Sequence, residues 1–182
     1  MSVSTTSAEI LRPLRRTRQI REFTPEPPSG EALEAIADVG RWTGSARNEQ
    51  PWRFLIVRDV ETIRRIGEIG LPQTRAMRTA TAAIAIVLPV RDHATGDIYD
   101  DGRAAERLLI AASMLGLGAA IQWVRDDVAP AVCELLSLPA DRVVRTIIAL
   151  GHPTEAALRP KAAPGTARLP RAESIFRDRW PG

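Results

Sequence analysis

The chain predicts an α+β or α/β domain, with helices laid on a sheet of four or five strands. Three observations carry this expectation. Apolar, β-rich runs recur at 53–59, 82–90, 119–124 and 142–150. Stretches with helical periodicity separate them. A length of 182 residues, 45% hydrophobic and 26% charged, suits one packed domain over 1–182, with neither repeats nor low-complexity tracts.

Each element has a local cause. Residues 1–14 are polar and read as a flexible N-terminus. Leu33, Ile36, Ala37 and Gly40 recur at helical spacing behind the start signal of Pro27, Pro28 and Ser29. The strand RFLIVRD lies between Pro51 and Asp59, and Asp59 can cap a helix that carries Ile63, Ile66 and Ile69 and closes at Gly70 and Pro72. The run AAIAIVLPV is apolar on both faces and therefore central in the sheet. The most helical stretch runs from Asp100 to Gly118. Ala104, Ala105, Leu108, Leu109, Ala111, Ala112 and Leu115 cover well over half its circumference, so it should be buried nearly all round. In a chain this short, such burial points to a subunit interface as well as a core. The strand AAIQWV follows, then a helix DVAPAVCELL that Asp126 can cap, then the strand RVVRTIIAL. From Gly151 to the end periodicity fades while Pro and basic residues increase, which reads as an extended arm over 151–182 with a short helix at 171–179.

Several mechanisms are excluded. No apolar run of about 18 residues exists, so no membrane span is expected. The N-terminus lacks a signal-like apolar stretch, and the expected location is cytoplasmic. Cys133 is the lone cysteine, so no intramolecular disulfide or multi-cysteine metal site can form, and its place on an apolar helix face reads as core. His93 and His152 fall in no ligand spacing, and no metal site is expected. There is no GxSxG, Walker loop or GxGxxG; the GLG at 116–118 reads as a helix stop. With few acid or base candidates, no catalytic side chain is assigned. If the chain is an enzyme, a cofactor carries the chemistry.

The formal charge of +3 is unevenly placed. Arg12, Arg15, Arg16, Arg18 and Arg21 crowd one end, and Arg159, Lys161, Arg168, Arg171, Arg177 and Arg179 the other. Such clusters suit a solvated surface, an anionic ligand or nucleic acid. Few aromatics accompany them and no nucleic-acid-binding module is recognisable, so nucleic acid is not expected. Arg18 and Arg21, three apart, would share one face of a helical turn, and guanidinium forks suit a phosphate. Gln19 adds an amide; the bland reading is a surface turn beside Phe23. In GSARNEQPW, Ser45 and Asn48 offer a hydroxyl and an amide on a loop after a helix, where ring heteroatoms could be bound. The bland reading there is a loop locked into the core by Trp52.

Taken in order, these segments resemble the FMN-dependent nitroreductase family over residues 15 to 180. RQIREF and GSARNEQPWRFLIVRD are similar to its RxxRxF-type box and APSxxNxQPWxFxVV. DDGRAAERLLIAASMLGLGAAIQWV resembles its long dimer helix ending in GLG, LGHP its IGYP, and TARLPRAESIFRDRW its GRKPLEEIVHxERW. The resemblance implies an α+β nitroreductase-like fold: a central, mostly antiparallel sheet flanked by helices, a long buried dimer helix, and a C-terminal arm wrapping the partner subunit. It implies a homodimer with FMN at the interface. Arg18, Gln19 and Arg21 would hold the phosphate and one flavin edge. Ser45 and Asn48 would reach FMN from the partner, supported by Gln50 and Trp52. Ile121 and Gln122 would pass beside the isoalloxazine, and Arg168, ahead of Lys161, would reach the phosphate. The implied activity is NAD(P)H oxidation by ping-pong hydride transfer, with a nitroaromatic, quinone or similar small acceptor. The alternative is a flavin-sequestering protein with little reductase activity. Thr43 and Gly44 stand where the family has Ala and Pro, which implies a more flexible loop. Gln73, Arg75 and Arg78 are candidates for the family's middle-segment flavin contact, and RDHATGDIY is short where many relatives carry a helical excursion. The purified protein should show flavin absorbance; a colourless protein with steeply salt-dependent DNA affinity would point instead to a basic nucleic-acid module.

Overall fold

A computed structural model describes residues 6–91, 95–160, 162–163 and 168–180. Where a flexible N-terminus is expected, the described residues form two short helices, α1 (Ser7–Ile10) and α2 (Arg12–Arg16). Thr6 starts α1 with a capping box, its hydroxyl facing the Glu9 amide while the Glu9 carboxylate accepts from the Thr6 amide at 2.8 Å. Helix α3 (Gly30–Arg41) starts at Ser29, whose hydroxyl accepts from the Ala32 amide at 3.1 Å. Strand β1 (Arg53–Val57) leads to α4 (Val60–Ile69), capped by Asp59 through the Thr62 amide at 2.8 Å and ended at Gly70. Strand β2 (Ala82–Pro89) is buried over all but its last residue. Then follow α5 (Thr95–Met114), β3 (Gly118–Trp123), α6 (Ala129–Leu135), β4 (Arg142–Gly151), α7 (Glu155–Leu158) and α8 (Arg171–Ser174).

The four strands pair in the order β1-β2-β4-β3, every pair antiparallel, which makes the fold α+β. Period-two alternation divides the core between the two faces of the sheet. Ala83, Ala85, Val87, Ile147 and Ala149 pack with α4 and α6. Ala82, Ile84, Ile86, Leu88, Ile148 and Leu150 pack with α3 and α5. This is why β2 and β4 carry no polar alternation: they are central and covered on both sides. Helix α3 crosses α5 closely at Gly40, where a Cβ would stand 2.8 Å from Phe54 Cζ and 2.9 Å from Leu108 Cδ2.

Four expectations change. Helix α5 begins at Thr95, well before Asp100, and ends at Met114, because β3 takes up Gly118. It is not buried all round in the single chain: Ile98, Tyr99, Met114 and Leu115 are exposed, as are Arg103 and Glu106. Its small residues face the sheet and α3, and its outward face shows Ile98, Tyr99 and Met114 near the ends with Arg103, Glu106 and Arg107 between them. Asp126 does not cap α6. Its carboxylate accepts from Arg145 on the neighbouring strand at 2.7 Å, and α6 starts at Val128 without a side-chain cap. Pro130 near that start removes one of the donors a cap would serve. The expected helix over 171–179 is limited to the four residues of α8.

Asp101 is the unusual charge in this core. It is 5% exposed, and Thr146 donates to one carboxylate oxygen at 2.7 Å. Burial raises its pKa to about 6, against the lowering effects of the Thr146 hydrogen bond and the Arg145 charge. Between about pH 4 and 6 the folded state therefore holds a proton that the unfolded chain has released. Stability from this group falls as pH rises through that window, by on the order of 3 kcal/mol at full ionisation. Urea titrations should show that fall in the wild type and its absence in Asp101→Asn; parallel pH profiles would contradict the assignment.

Candidate functional site

Two surface assemblies hold the residues of interest, and each is built by packing. The first is the segment 18–23. Ile20 donates its amide to the Ala119 carbonyl at 2.8 Å, and Phe23 bridges to Pro153, so the segment runs along the free edge of β3 and crosses to the end of β4. Gly118 and Gly151 face each other in the β3–β4 register. A Cβ on Gly118 would stand 2.8 Å from Ile20 Cγ2, and one on Gly151 2.8 Å from Phe23 Cβ. The two glycines thus form a seat for Ile20 and Phe23, and the RQIREF, GLG and LGHP segments meet at one place.

This packing changes the reading of the arginines. The segment is not helical, so Arg18 and Arg21 do not share a helical face. Arg18 donates to the carbonyls of Ala157 at 3.1 Å and Arg159 at 3.2 Å, and to that of Leu158, which closes the end of α7. Arg21, half-buried, donates to Gln19 Oε1 at 2.9 Å. Arg18 also lines a cavity of about 160 Å³ with Leu109, Ser113, Gly116 and Pro153, at the C-terminal end of α5. Arg168 is exposed on the arm, and Lys161 lies outside the described residues, as does His93.

The second assembly is the loop from Thr43 to Trp52. Trp52 is 3% exposed and packs in the α3–α5 core, with Pro51 also buried. Between them and α3 lies a 3-10 turn, Ala46–Asn48, with left-handed backbone at Arg47 (φ 49°), Asn48 (φ 58°) and Gln50 (φ 49°). Ser45 Oγ accepts from the Gln50 amide at 2.9 Å, and Asn48 Oδ1 accepts from Gln50 Nε2 at 3.1 Å. Gln50 therefore uses acceptors of both residues and leaves the Ser45 hydroxyl proton and the Asn48 amide protons available. The loop turns donors outward.

Ile121 and Gln122 lie on opposite faces of β3. Ile121 is half-buried on the α5 side. Gln122 is 1% exposed: its Oε1 accepts from the Ala76 amide at 3.1 Å and its Nε2 donates to the Ile121 carbonyl at 2.8 Å. Its side chain fastens the 3-10 turn Arg75–Arg78 to the sheet and does not line an open surface. Gln73 accepts from Arg125 at 3.0 Å, while Arg75 and Arg78 are exposed on that turn. Cys133, expected in the core, is half-buried beside a groove that Pro130, Leu138 and Arg142 also line.

Residues to which no motif assigns a role complete the assembly near the start of α5. Asp100 Oδ2 accepts from the Ala46 amide at 3.2 Å, and Arg91 pairs with Glu49 at 2.8 Å and with Asp97 at 3.6 Å. The Arg91 and Arg47 guanidiniums hold the Glu49 carboxyl below its usual range. The loop is thereby tied to α5 near Asp100, while Arg18 and Ile20 line a cavity with Ser113, roughly 20 Å away along the helix. Among the described residues there is no cluster of three or more metal-ligating side chains, and no helix is long and apolar enough to cross a membrane.

Comparison with known proteins accords with this architecture. Residues 14–98 match the sequence model of the Nitroreductase family. A protein of Archaeoglobus fulgidus, provisionally named NADH dehydrogenase/NAD(P)H nitroreductase, is 32% identical over 152 residues, covering 81% of this chain and 87% of its own. A protein of the same provisional name from Methanothermobacter thermautotrophicus is 27% identical over 176 residues, covering 94% and 88%. The solved structure of a provisionally assigned nitroreductase from Desulfovibrio desulfuricans, in complex with FMN, is 29% identical with a TM-score of 0.79, covering 97% of this chain and all of that one.

The glycine seat makes a specific prediction. Gly151→Ala forces Phe23 aside and should cost about 1–3 kcal/mol by overpacking. A thermal melt unchanged from wild type would show that the seat has room to spare.

Proposed function

The chain belongs to the nitroreductase family, and on that footing we propose that it is a homodimeric, FMN-dependent NAD(P)H oxidoreductase acting on small acceptors such as nitroaromatics or quinones. Bound FMN would supply the two-electron chemistry that these side chains lack. The observation that carries the reading is the placement of two complementary half-sites at opposite ends of α5. Two copies packed antiparallel through the outward face of α5 would bring the loop of one beside the 18–23 segment of the other. Exposed Ile98, Tyr99 and Met114 on that face, with Leu115 just past its end, support such a contact.

The donor sets suit the cofactor. Arg18 uses three hydrogen bonds to carbonyls. A guanidinium carries five N–H groups, so the Nε–H and one Nη1–H remain as single donors to a phosphate. Arg21, Gln19 and the arm residue Arg168 complete the phosphate-side assignment. Ser45 and Asn48 of the partner present hydroxyl and amide donors, which match the acceptor-rich edge of a flavin ring. Ile121, on the edge strand whose Ala119 bonds Ile20, supplies an apolar wall. For Gln122 the role that remains is holding β3 against the turn at 75–78. The protein's contribution is binding, orientation and exclusion of water, and no side chain is assigned as acid or base.

Arg18→Ala combined with Arg168→Ala should remove copurifying FMN and leave a folded dimer; stoichiometric flavin in that variant would contradict the phosphate assignment. Rapid mixing of the flavin-loaded wild type with NADH and with NADPH should bleach the flavin absorbance with at least one donor. Failure with both would leave a flavin-binding protein and remove the reductase reading.

A further inference from the structure

We propose that Asp100 is a positioning residue for the flavin-facing loop: with Arg103 and Gly44 it forms a clamp that fixes Ser45 and Asn48 against α5. The inference rests on the proposed flavin site and extends it to three residues with no role so far. A loop with left-handed backbone at Arg47, Asn48 and Gln50 is costly, because side chains with a Cβ disfavour that region by about 1 kcal/mol or more each. Contacts elsewhere must hold it. Trp52 anchors the far end, and the near end depends on Asp100.

Asp100 lies in the second turn of α5, past the position of a helix cap, and is 4% exposed. An apolar residue there would bury more readily than a carboxylate. What the carboxylate provides is two acceptors facing two ways. Oδ2 takes the Ala46 amide at 3.2 Å, the first amide of the 3-10 turn; Oδ1 takes Arg103 Nη1 at 3.1 Å. Arg103, held in this way, lies against the loop itself. A Cβ at Gly44 would stand 2.8 Å from Arg103 Nη2, closer than real Cβ atoms approach. Gly44 is the position at which the chain departs from the family's proline. The guanidinium, at the end of a flexible side chain, rests in the space that a Gly44 side chain would share, so the glycine lets it lie flat against the loop.

The clamp is tested in the apoprotein by hydrogen exchange across 43–52, together with FMN affinity from quenching of flavin fluorescence. Asp100→Ala should speed exchange in that segment and weaken FMN binding by about tenfold or more, the usual cost of a lost hydrogen bond to a charged group. Asp100→Asn retains an acceptor oxygen for the Ala46 amide and should keep affinity within about threefold of wild type. Arg103→Ala and Gly44→Ala, both at exposed positions that folding does not depend on, should each give a smaller loss, and the double variant no more than the larger of the two. Unchanged exchange in Asp100→Ala and Arg103→Ala would overturn the clamp. Faster exchange with unchanged FMN affinity would overturn its role at the flavin. A wild-type chain that binds no FMN would overturn the proposed function and this assignment with it, whereas wild-type binding combined with insensitive variants would overturn this assignment alone.

Discussion

The length of α5 is the constraint on which the rest of the structure depends. Twenty residues span about 30 Å, and the helix lies across the sheet with its small residues turned inward. One face completes the core with α3, β2 and β4. The ends then fix the positions of two loops that never meet within one chain. Near Asp100 the Thr43–Trp52 loop is tied down, and near Ser113 and Gly116 the arginine-bearing segment comes into place. A rigid helix thus sets the distance between the two segments, and under the proposed function two copies related by a twofold axis would bring each loop beside the other's arginine-bearing segment.

Backbone approach does as much as side-chain chemistry at the second of these ends. Gly118 and Gly151, paired across β3 and β4, allow Ile20 and Phe23 to lie against the sheet where any Cβ would intrude. Phe23 and Ile20 in turn belong to the core formed with α4 and α6. The polar residues between and beside them are consequently held at the strand edge by apolar packing. The same logic operates at the loop, where buried Trp52 and Pro51 secure one end and buried Asp100 the other. In the first place the anchors are apolar; in the second an apolar anchor and a buried carboxylate share the task.

Much of this was legible in the sequence because it follows from periodicity and caps. Ser29 and Asp59 cap the helices expected of them, β2 is central as its unbroken apolar run implies, and Trp52 is the anchor that its place after Gln50 and Pro51 suggests. The misreadings share one cause: a competing tertiary partner. Asp126 is claimed by Arg145, so it caps nothing. Arg18 and Arg21 follow an extended path because Ile20 must bond Ala119, which removes the helical face. Alternation along the strand sends the Ile121 and Gln122 side chains to opposite faces, and the Gln122 amide is taken by the Ala76 backbone. Asp100 was visible only as an acidic residue near a helix start; nothing in its neighbours announces an amide brought from position 46.

In the proposed function each flavin site is shared between two copies of this chain, with arginines from one and the Ser45–Asn48 loop from the other. The most direct measurement is flavin content in a mixed dimer. One protomer would carry the Arg18→Ala and Arg168→Ala changes and the other Ser45→Ala and Asn48→Ala, each carrying a different affinity tag so that the heterodimer can be purified. Both parent homodimers should be flavin-free, while the heterodimer regains one intact site and one FMN per dimer. A heterodimer as empty as its parents would contradict the shared site.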